Sequence, residues 1–394
     1  MSEKIFSSVL SRDPDPLKAV ENAASKILKD FQDKSRDAAL VFLSEGYAEL
    51  DAAAVMGTLQ SLLSVPVLIG CNSNGVIGDK SEIEMEPALS VLAMHLPNVR
   101  IVPFTLSPHE IESLSTGKDL VENLDIYPND SPKFLCFADP MTCDAAKLLF
   151  LLNEGYPGLP VTGGFASGGM AAGAENWIVL NGDVNLRGAV GLAFIGDVSF
   201  ETLVSQGCRP IGEALAVTKA EGNVLQELAG KPALEAFGEI YKNLSPLDQE
   251  LAHHSLFVGL AMDETRSSFK RGDFLIRNIM GADRASGALA VGENLVIGQT
   301  LQFQLRDAKA STEDLEALLK LMHRKETVLK EAAILVSCCG RGKALFGQAD
   351  HDVKLIQKYR GPFPLAGFFA NGEFGPVEGK NYVHGYTSSL TIIS

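Results

Sequence analysis

Basic charge is what this chain has least of. Its 394 residues carry 34 Lys and Arg against 49 Asp and Glu, a formal net charge of −15 at pH 7. Nucleic acid or an anionic membrane surface would be repelled at long range, and no basic cluster offsets this. Cysteine is also sparse: the six, at 71, 136, 143, 208, 338 and 339, lack paired metal-ligand spacing. Structural zinc and other cofactors are therefore not expected, a reducing compartment would keep the thiols free, and Cys136 reads as a small hydrophobe inside a strand. No uninterrupted apolar run nears the length of a spanning helix. The opening Met1-Ser-Glu-Lys-Ile-Phe-Ser-Ser-Val-Leu10 lacks the apolar centre of a secretory signal, and acid by residue 16 argues against a transit peptide. What remains, 46% hydrophobic and 21% charged, is globular material long enough for two domains. The expectation is a soluble cytoplasmic protein, with a plastid location open for a mature eukaryotic chain.

What the chain does have is an echo. Pro66-Val-Leu-Ile-Gly-Cys-Asn-Ser-Asn-Gly75, Pro160-Val-Thr-Gly-Gly-Phe-Ala-Ser-Gly-Gly169 and Pro364-Leu-Ala-Gly-Phe-Phe-Ala-Asn-Gly-Glu373 align without a gap. Upstream of each lies a short apolar run, Leu40–Ser44, Phe134–Ala138 and Ile334–Cys338. A helical pattern follows each run, at Leu50–Leu63, Asp144–Leu152 and Asp352–Tyr359, with Asp51, Asp139 and Asp350 as candidate N-caps. Beyond each glycine turn comes another strand candidate, Ala88–Met94, Trp177–Leu180 and Thr387–Ile393. The implied architecture is α/β: two related domains with mixed β-sheets and outer helices, built from repeated β-α-β-turn-β units. Strands apolar on both faces leave stacked sheets open.

Between these units the pattern predicts a helix over Pro16–Phe31 with Leu17, Val20, Ala24, Ile27 and Leu28 on one face. It predicts a strand over Val99–Phe104 with a polar connection to residue 130. Asn181-Gly-Asp183 reads as a hairpin between Trp177–Leu180 and Gly188–Ile195, and Val198–Val204 as a further strand. Helices are expected over Asn223–Ala229 and Pro232–Asn243, and a strand over Ala252–Met262 with His253 and His254 at its start. From Phe274 to Asp307, strands separated by Gly and Asp turns fit an antiparallel meander, and Ser311-Thr-Glu-Asp314 resembles a capping box for a helix to about Lys330. The domain boundaries expected are a lead and helix at 1–30, an N-terminal domain at 31–215 and a C-terminal domain at 216–394.

The glycines do not make a phosphate cradle, which needs a turn that opens into a helix N-terminus. Here each turn runs into extended sequence, twice into acid: Glu82, Glu84 and Glu86, then Glu373 and Glu378. Close backbone approach and the lining of a ligand site are the two readings left for the glycines.

Taken together, Ile69-Gly-Cys-Asn-Ser-Asn-Gly75 with Glu86-Pro87, Gly163-Gly-Phe-Ala-Ser-Gly168, Ile276-Arg-Asn278 with Gly281 and Asp283, Gln304-Leu-Arg-Asp307, Cys338-Cys-Gly-Arg-Gly342 and Gly367-Phe-Phe-Ala-Asn-Gly-Glu373 resemble a FIST protein. Its N-terminal and C-terminal domains would cover nearly everything after residue 30. The resemblance implies an intracellular sensory or signal-transduction module that binds a small ligand, an amino acid or related metabolite. Some eukaryotic members place an F-box ahead of it. The chain leaves no room for one before residue 30, which favours the stand-alone form.

The ligand-site candidates are Asn72, Ser73, Phe165, Ser167, Arg277, Asn278, Cys338, Arg341, Phe369, Asn371 and Glu373, with Ser167 and Asn371 the preferred polar contacts. Arg277 and Arg306 suit either an internal salt bridge to Asp283, Asp307 or Glu373, or a clamp on a ligand carboxylate. Cys338, beside Arg341, is open to three readings: packing, a ligand-contacting thiol, or the nucleophile of a thiol-dependent enzyme. For the last, His351 and His384 are bases only if the fold brings them near. The acids Glu84, Glu86, Glu373 and Glu378 read first as a solvated face, with an acid–base pair or a cation site as the alternatives. A protein-binding scaffold is the third functional class.

Overall fold

The apolar runs become strands because their β-branched and aromatic side chains fill both faces of a buried sheet. In the computed structural model, which describes residues 3–47, 50–169, 175–185, 187–322 and 330–394, Ala38–Ser44 pairs in parallel with Leu68–Ser73, Lys133–Ala138 with Val161–Phe165, and Ala332–Cys338 with Leu365–Ala370. A parallel pair needs a crossover. Helices Ala52–Leu63, Ala145–Gly155 and His351–Arg360 provide it.

Pairing register corrects the gap-free alignment by one residue. Gly70 lies opposite Val41, Gly163 opposite Cys136 and Gly367 opposite Leu335. A Cβ on any of the three would sit 1.7–1.9 Å from that partner's carbonyl oxygen. These three glycines are equivalent, and close backbone approach is why. In the first copy the counterpart of Ser167 and Asn371 is therefore Asn74, not Ser73.

The chain divides into two compact units, residues 1–204, 318–383 and 387–394 in one, and 205–317 with 384–386 in the other. Within the first unit each parallel pair belongs to a different six-stranded mixed sheet. The first sheet runs Ile5–Ser11, Leu89–His95, Ala38–Ser44, Leu68–Ser73, Ile178–Leu180, Asp183–Asn185. The second runs Lys380–His384, Glu373–Val377, Val161–Phe165, Lys133–Ala138, Ala189–Gly196, Val99–Leu106. The third runs Phe200–Gln206, Thr387–Ile393, Ala332–Cys338, Leu365–Ala370, Gly75–Gly78, Glu82–Glu84.

One apolar core joins all three sheets. At its centre Phe42 meets Phe137 edge-on with ring centroids 5.4 Å apart, stacks on Phe368 at 4.8 Å, and Phe137 meets Phe368 at 5.6 Å. Each pair adds about 0.5–1.5 kcal/mol beyond the burial of its rings. Pro16–Phe31 and Ala52–Leu63 cover the outer face of the first sheet, and Ala145–Gly155 with two shorter helices covers that of the second. The α/β class, the mixed sheets, the outer helices and the stacking are all present.

The second unit is a closed antiparallel barrel. Thr300–Arg306, Leu215–Glu221, Val224–Leu228, Ala288–Val291, Phe274–Asp283 and Leu256–Ala261 pair in that order, and the last returns to the first. What reads as an open meander is closed because Thr300–Arg306 pairs with Leu256–Ala261 as well as with Leu215–Glu221 and Cys208–Pro210.

Several local expectations change. Residues 223–229 are not helical: Gly222-Asn223 is a two-residue turn, with Gly222 at φ +57°, between Leu215–Glu221 and Val224–Leu228. His253 and His254 sit in the last turn of helix Pro246–Ser255, and the strand starts at Leu256. Asn181 and Gly182, both at positive φ, turn Ile178–Leu180 onto Asp183–Asn185, and Ala189–Gly196 belongs to the second sheet. The connection after Val99–Leu106 holds helices Pro108–Ser113 and Gly117–Leu124, each begun by a capping box, Ser107 with Glu110 and Thr116 with Asp119. Helix Ala308–Leu321 starts before Ser311, because Asp307 accepts from the amides of Lys309 and Ala310. Its expected extension to Lys330 crosses residues 323–329, outside the described residues.

Candidate ligand site at the ends of the parallel strands

A turn that follows a parallel strand leaves backbone groups unpaired by the ladder, and the three glycine turns pair them with one another. Ser167 Oγ donates to the Phe369 carbonyl at 2.5 Å and accepts from the Asn74 amide at 2.9 Å. The Ser167 amide donates to Asn72 O at 3.2 Å, Phe165 N to Gly372 O at 2.9 Å and Asn371 N to Phe165 O at 3.4 Å. The turns converge. They do so by packing, with Ser73, Ser167 and Phe369 each at most 2% exposed. Asn72 is spent on holding residues 175–177, accepting from Trp177 N and donating to Glu175 O. Ser73 Oγ donates to Gly75 O at 2.8 Å. Phe165 is half-buried against Phe374, and the Asn371 side chain is exposed.

The chemistry gathers beside this knot, at the end of Ala332–Cys338. After Cys338 the chain turns through Cys339-Gly340 into Arg341, which is wholly buried. Its guanidinium forks onto Asp352, Nε to Oδ2 and Nη2 to Oδ1, both at 2.9 Å. Ser337 Oγ reaches Asp352 Oδ2 at 3.2 Å, and His351 Nδ1 lies 2.9 Å from Oδ1. The His351 ring stacks on Phe346 with centroids 3.4 Å apart. Burial alone would raise the Asp352 carboxyl, but the Arg341 charge and the His351 bond outweigh it and hold it below the usual range.

Glu82 and helix His351–Arg360 cap each other across the chain. Asp350 Oδ1 accepts from the Glu82 amide at 2.8 Å, and Glu82 Oε1 accepts from the Val353 amide at 2.9 Å. Asp350 therefore does not cap its own helix with its side chain. Burial and the neighbouring Asp352 push the Glu82 carboxyl up.

Glu373 is the second polar centre. It is fully buried, and its Oε2 accepts from Thr387 N at 3.1 Å and Thr387 Oγ1 at 2.6 Å. Burial pushes the carboxyl up to about 8, with the Thr387 bonds, the Arg341 charge and the Cys338 thiol pulling the other way. Among the described residues, Glu373 Oε1 and Arg341 Nη1 have no hydrogen-bond partner of nitrogen or oxygen. Cys338, 8% exposed, bears on both. Burial pushes the neighbouring Cys339 thiol to about 12 despite its bond to Ser167.

The solvated-face reading of the acids fails for Glu373, and it holds for exposed Glu86, which pairs with Arg12 at 2.6 Å, and for exposed Glu378. Glu84 accepts from the Lys343 amide at 2.8 Å. Arg277 and Asn278 lie in the barrel unit. Arg277 Nε donates to Glu293 at 2.8 Å, an acid the sequence reading did not consider, and Asn278 Oδ1 accepts from Tyr386 at 2.6 Å. Asp307 pairs with Arg209 at 2.9 Å, while Arg306 stands over Tyr386 at 5.6 Å. Of the candidates, then, Cys338, Arg341 and Glu373 share one neighbourhood, with Ser167, Asn72, Phe165 and Phe369 in the adjoining knot. Asp352, Glu82 and Thr387 are the participants that sequence reasoning missed. An Asp at the second position of a helix that follows a buried Arg was the available signal.

A scaffold of this kind, strand ends from three facing sheets gathered around buried acids, a guanidinium and a thiol, coincides with a known family. Residues 37–231 match the FIST N domain and residues 233–376 the FIST C domain, so the chain belongs to the FIST family. FIST domains are generally regarded as small-ligand-binding signal-transduction domains. Two mycobacterial proteins are similar over their whole length. "Uncharacterized protein Rv0628c" of Mycobacterium tuberculosis (strain ATCC 25618 / H37Rv) is 35% identical over 383 residues, 97% of this chain and 98% of the relative. "Uncharacterized protein Mb0898c" of Mycobacterium bovis (strain ATCC BAA-935 / AF2122/97) is 34% identical over 381 residues, 96% of each. Among the described residues no helix is long and apolar enough to cross a membrane.

Proposed function

We propose that this chain is a cytoplasmic sensory protein that binds a small metabolite without turning it over and passes the bound state to a protein partner. The ligand is an amino acid or a close relative. One observation carries the reading: Arg341 Nη1 and Glu373 Oε1, both fully buried, have no nitrogen or oxygen partner among the described residues. A buried polar atom without a partner costs about 1–3 kcal/mol, and a ligand that supplies the partner recovers it. A carboxylate suits the guanidinium N–H, and an ammonium group suits the carboxyl oxygen. Arg341 is already oriented by Asp352, so little ordering remains to be done on binding.

The test is a thermal-shift screen of amino acids and central metabolites on the full chain, followed by calorimetric titration of any hit against wild type and Glu373→Gln. A stabilising ligand whose affinity falls at least tenfold in the variant supports the reading. No stabilisation by any compound, with a protein recovered reproducibly on pull-down, replaces it with a scaffold role.

A further inference from the structure

The buried polar atoms at this site also surround a nucleophile. Cys338 ends a strand, buried, with its neighbours Cys339 and Gly340 partly exposed. Two groups bear directly on the thiol, the Glu373 carboxyl and the Arg341 guanidinium. Each has one atom with no nitrogen or oxygen partner among the described residues, Oε1 and Nη1. Oε2 is occupied by Thr387 N and Oγ1, which leaves Oε1 as the oxygen that can exchange a proton.

We infer that Cys338 is a covalent capture residue for a small aldehyde, with Glu373 relaying the thiol proton and Arg341 Nη1 holding the aldehyde oxygen. The inference rests on the ligand site just proposed and makes the bond to its occupant reversible and covalent. The thiolate is the attacking species, so the thiol proton needs an acceptor; Glu373 takes it at Oε1 once ionised, so adduct formation is expected to quicken as pH rises through about 8. A carbon–sulfur bond forms, the carbonyl π pair moves to oxygen, and Glu373 returns the same proton to that oxygen. Thiol plus aldehyde gives a hemithioacetal, no group departs and no oxidant or reductant is consumed. Aldehyde addition expels no group, whereas acyl transfer would have to release one into a dry site. The Nη1–H, which the Asp352 fork leaves over, holds the oxygen while negative charge passes through it.

The experiment is carbon-13 NMR of the full-length chain with [1-13C]propanal, scored for the tetrahedral hemithioacetal carbon, on wild type, Cys338→Ser, Cys339→Ser and Glu373→Gln. The expected result is one adduct in wild type and Cys339→Ser, none in Cys338→Ser, and formation at least tenfold slower in Glu373→Gln. The melting curve of each variant serves as the folding control. If Cys338→Ser does not fold, an adduct that forms at an unchanged rate in Glu373→Gln overturns the inference by itself. So does an adduct that survives in Cys338→Ser, or one lost only in Cys339→Ser. Absence of any adduct in wild type at millimolar propanal also overturns it, and leaves standing a metabolite that binds without a covalent bond in the thermal-shift screen.

Discussion

Strands Lys133–Ala138 and Ala332–Cys338 hold matching places, each the first of a parallel pair and each followed by a turn and a crossover helix. At the first, polar demand is met on the spot. Asp139 takes the Met141 amide at 3.2 Å and the Thr142 hydroxyl at 2.5 Å, and Asp144 then caps the helix through the Lys147 amide at 2.9 Å. At the second, the turn buries a guanidinium, two acids and a thiol, its helix is capped by a residue from elsewhere in the chain, and Arg341 Nη1 and Glu373 Oε1 lack a nitrogen or oxygen partner among the described residues. One end behaves as structure alone. The other carries groups whose desolvation structure alone does not repay, and such groups mark sites of function.

Breaking that comparison begins at Asp352. Asp352→Ala leaves Arg341 buried without its counter-charge, and urea denaturation is expected to show a loss of about 3–5 kcal/mol, the usual cost of orphaning one member of a buried pair. Asp139→Ala at the matching end removes only local turn bonds and is expected to cost about 1 kcal/mol.

Next in size is the dependence on pH. Glu373 is raised to about 8 in the folded chain, so the folded state holds its proton where an unfolded carboxyl, at about 4.3, has lost it. Its stabilising contribution is complete below that unfolded value and is lost as pH rises through about 8. Glu373→Gln keeps a neutral side chain at every pH. Relative to wild type, the variant is therefore expected to gain stability between pH 5 and pH 9, on the order of a few kcal/mol, read from denaturation midpoints. A constant difference across that range would show that Glu373 is already ionised.

Gly367→Ala places a methyl 1.9 Å from the Leu335 carbonyl oxygen, and a loss of about 3 kcal/mol is expected. Gly379→Ala, with no atom within 4 Å of its Cβ but φ at +79°, is expected to lose about 1 kcal/mol through backbone strain alone. Comparable in size is Ser167→Ala, which drops the bridge between the Phe369 carbonyl and the Asn74 amide. About 1–2 kcal/mol is expected, with faster hydrogen exchange confined to the three turns.

What could be read in advance was whatever is written locally. The apolar runs named all three parallel pairs, Asp51 caps its helix through Ala54 as its position suggests, and the glycines marked the turns. What could not be read lies in distant partners. Asp350 looks like a cap, yet its carboxylate serves Glu82, 268 positions away. The one-residue shift of the first copy shows only in strand register. The barrel closes through a strand that pairs on both edges, which no local pattern encodes. The hairpin at Gly222-Asn223 was legible as a turn dipeptide, and the helix predicted there gave way to it. Of the site, Cys338, Arg341 and Glu373 were visible as residues, but their burial and their meeting with Asp352 arise from tertiary packing.

The stacked rings of Phe42, Phe137 and Phe368 come from widely separated stretches of chain, the last within 30 residues of the C-terminus. As the polypeptide leaves the ribosome, the first sheet and the four earlier strands of the second can assemble early, but the face they share stays bare until the closing segment arrives. Contacts of such long sequence separation slow folding and leave apolar surface open to aggregation meanwhile. Truncation ahead of Ala332–Cys338 is thus expected to yield an insoluble fragment.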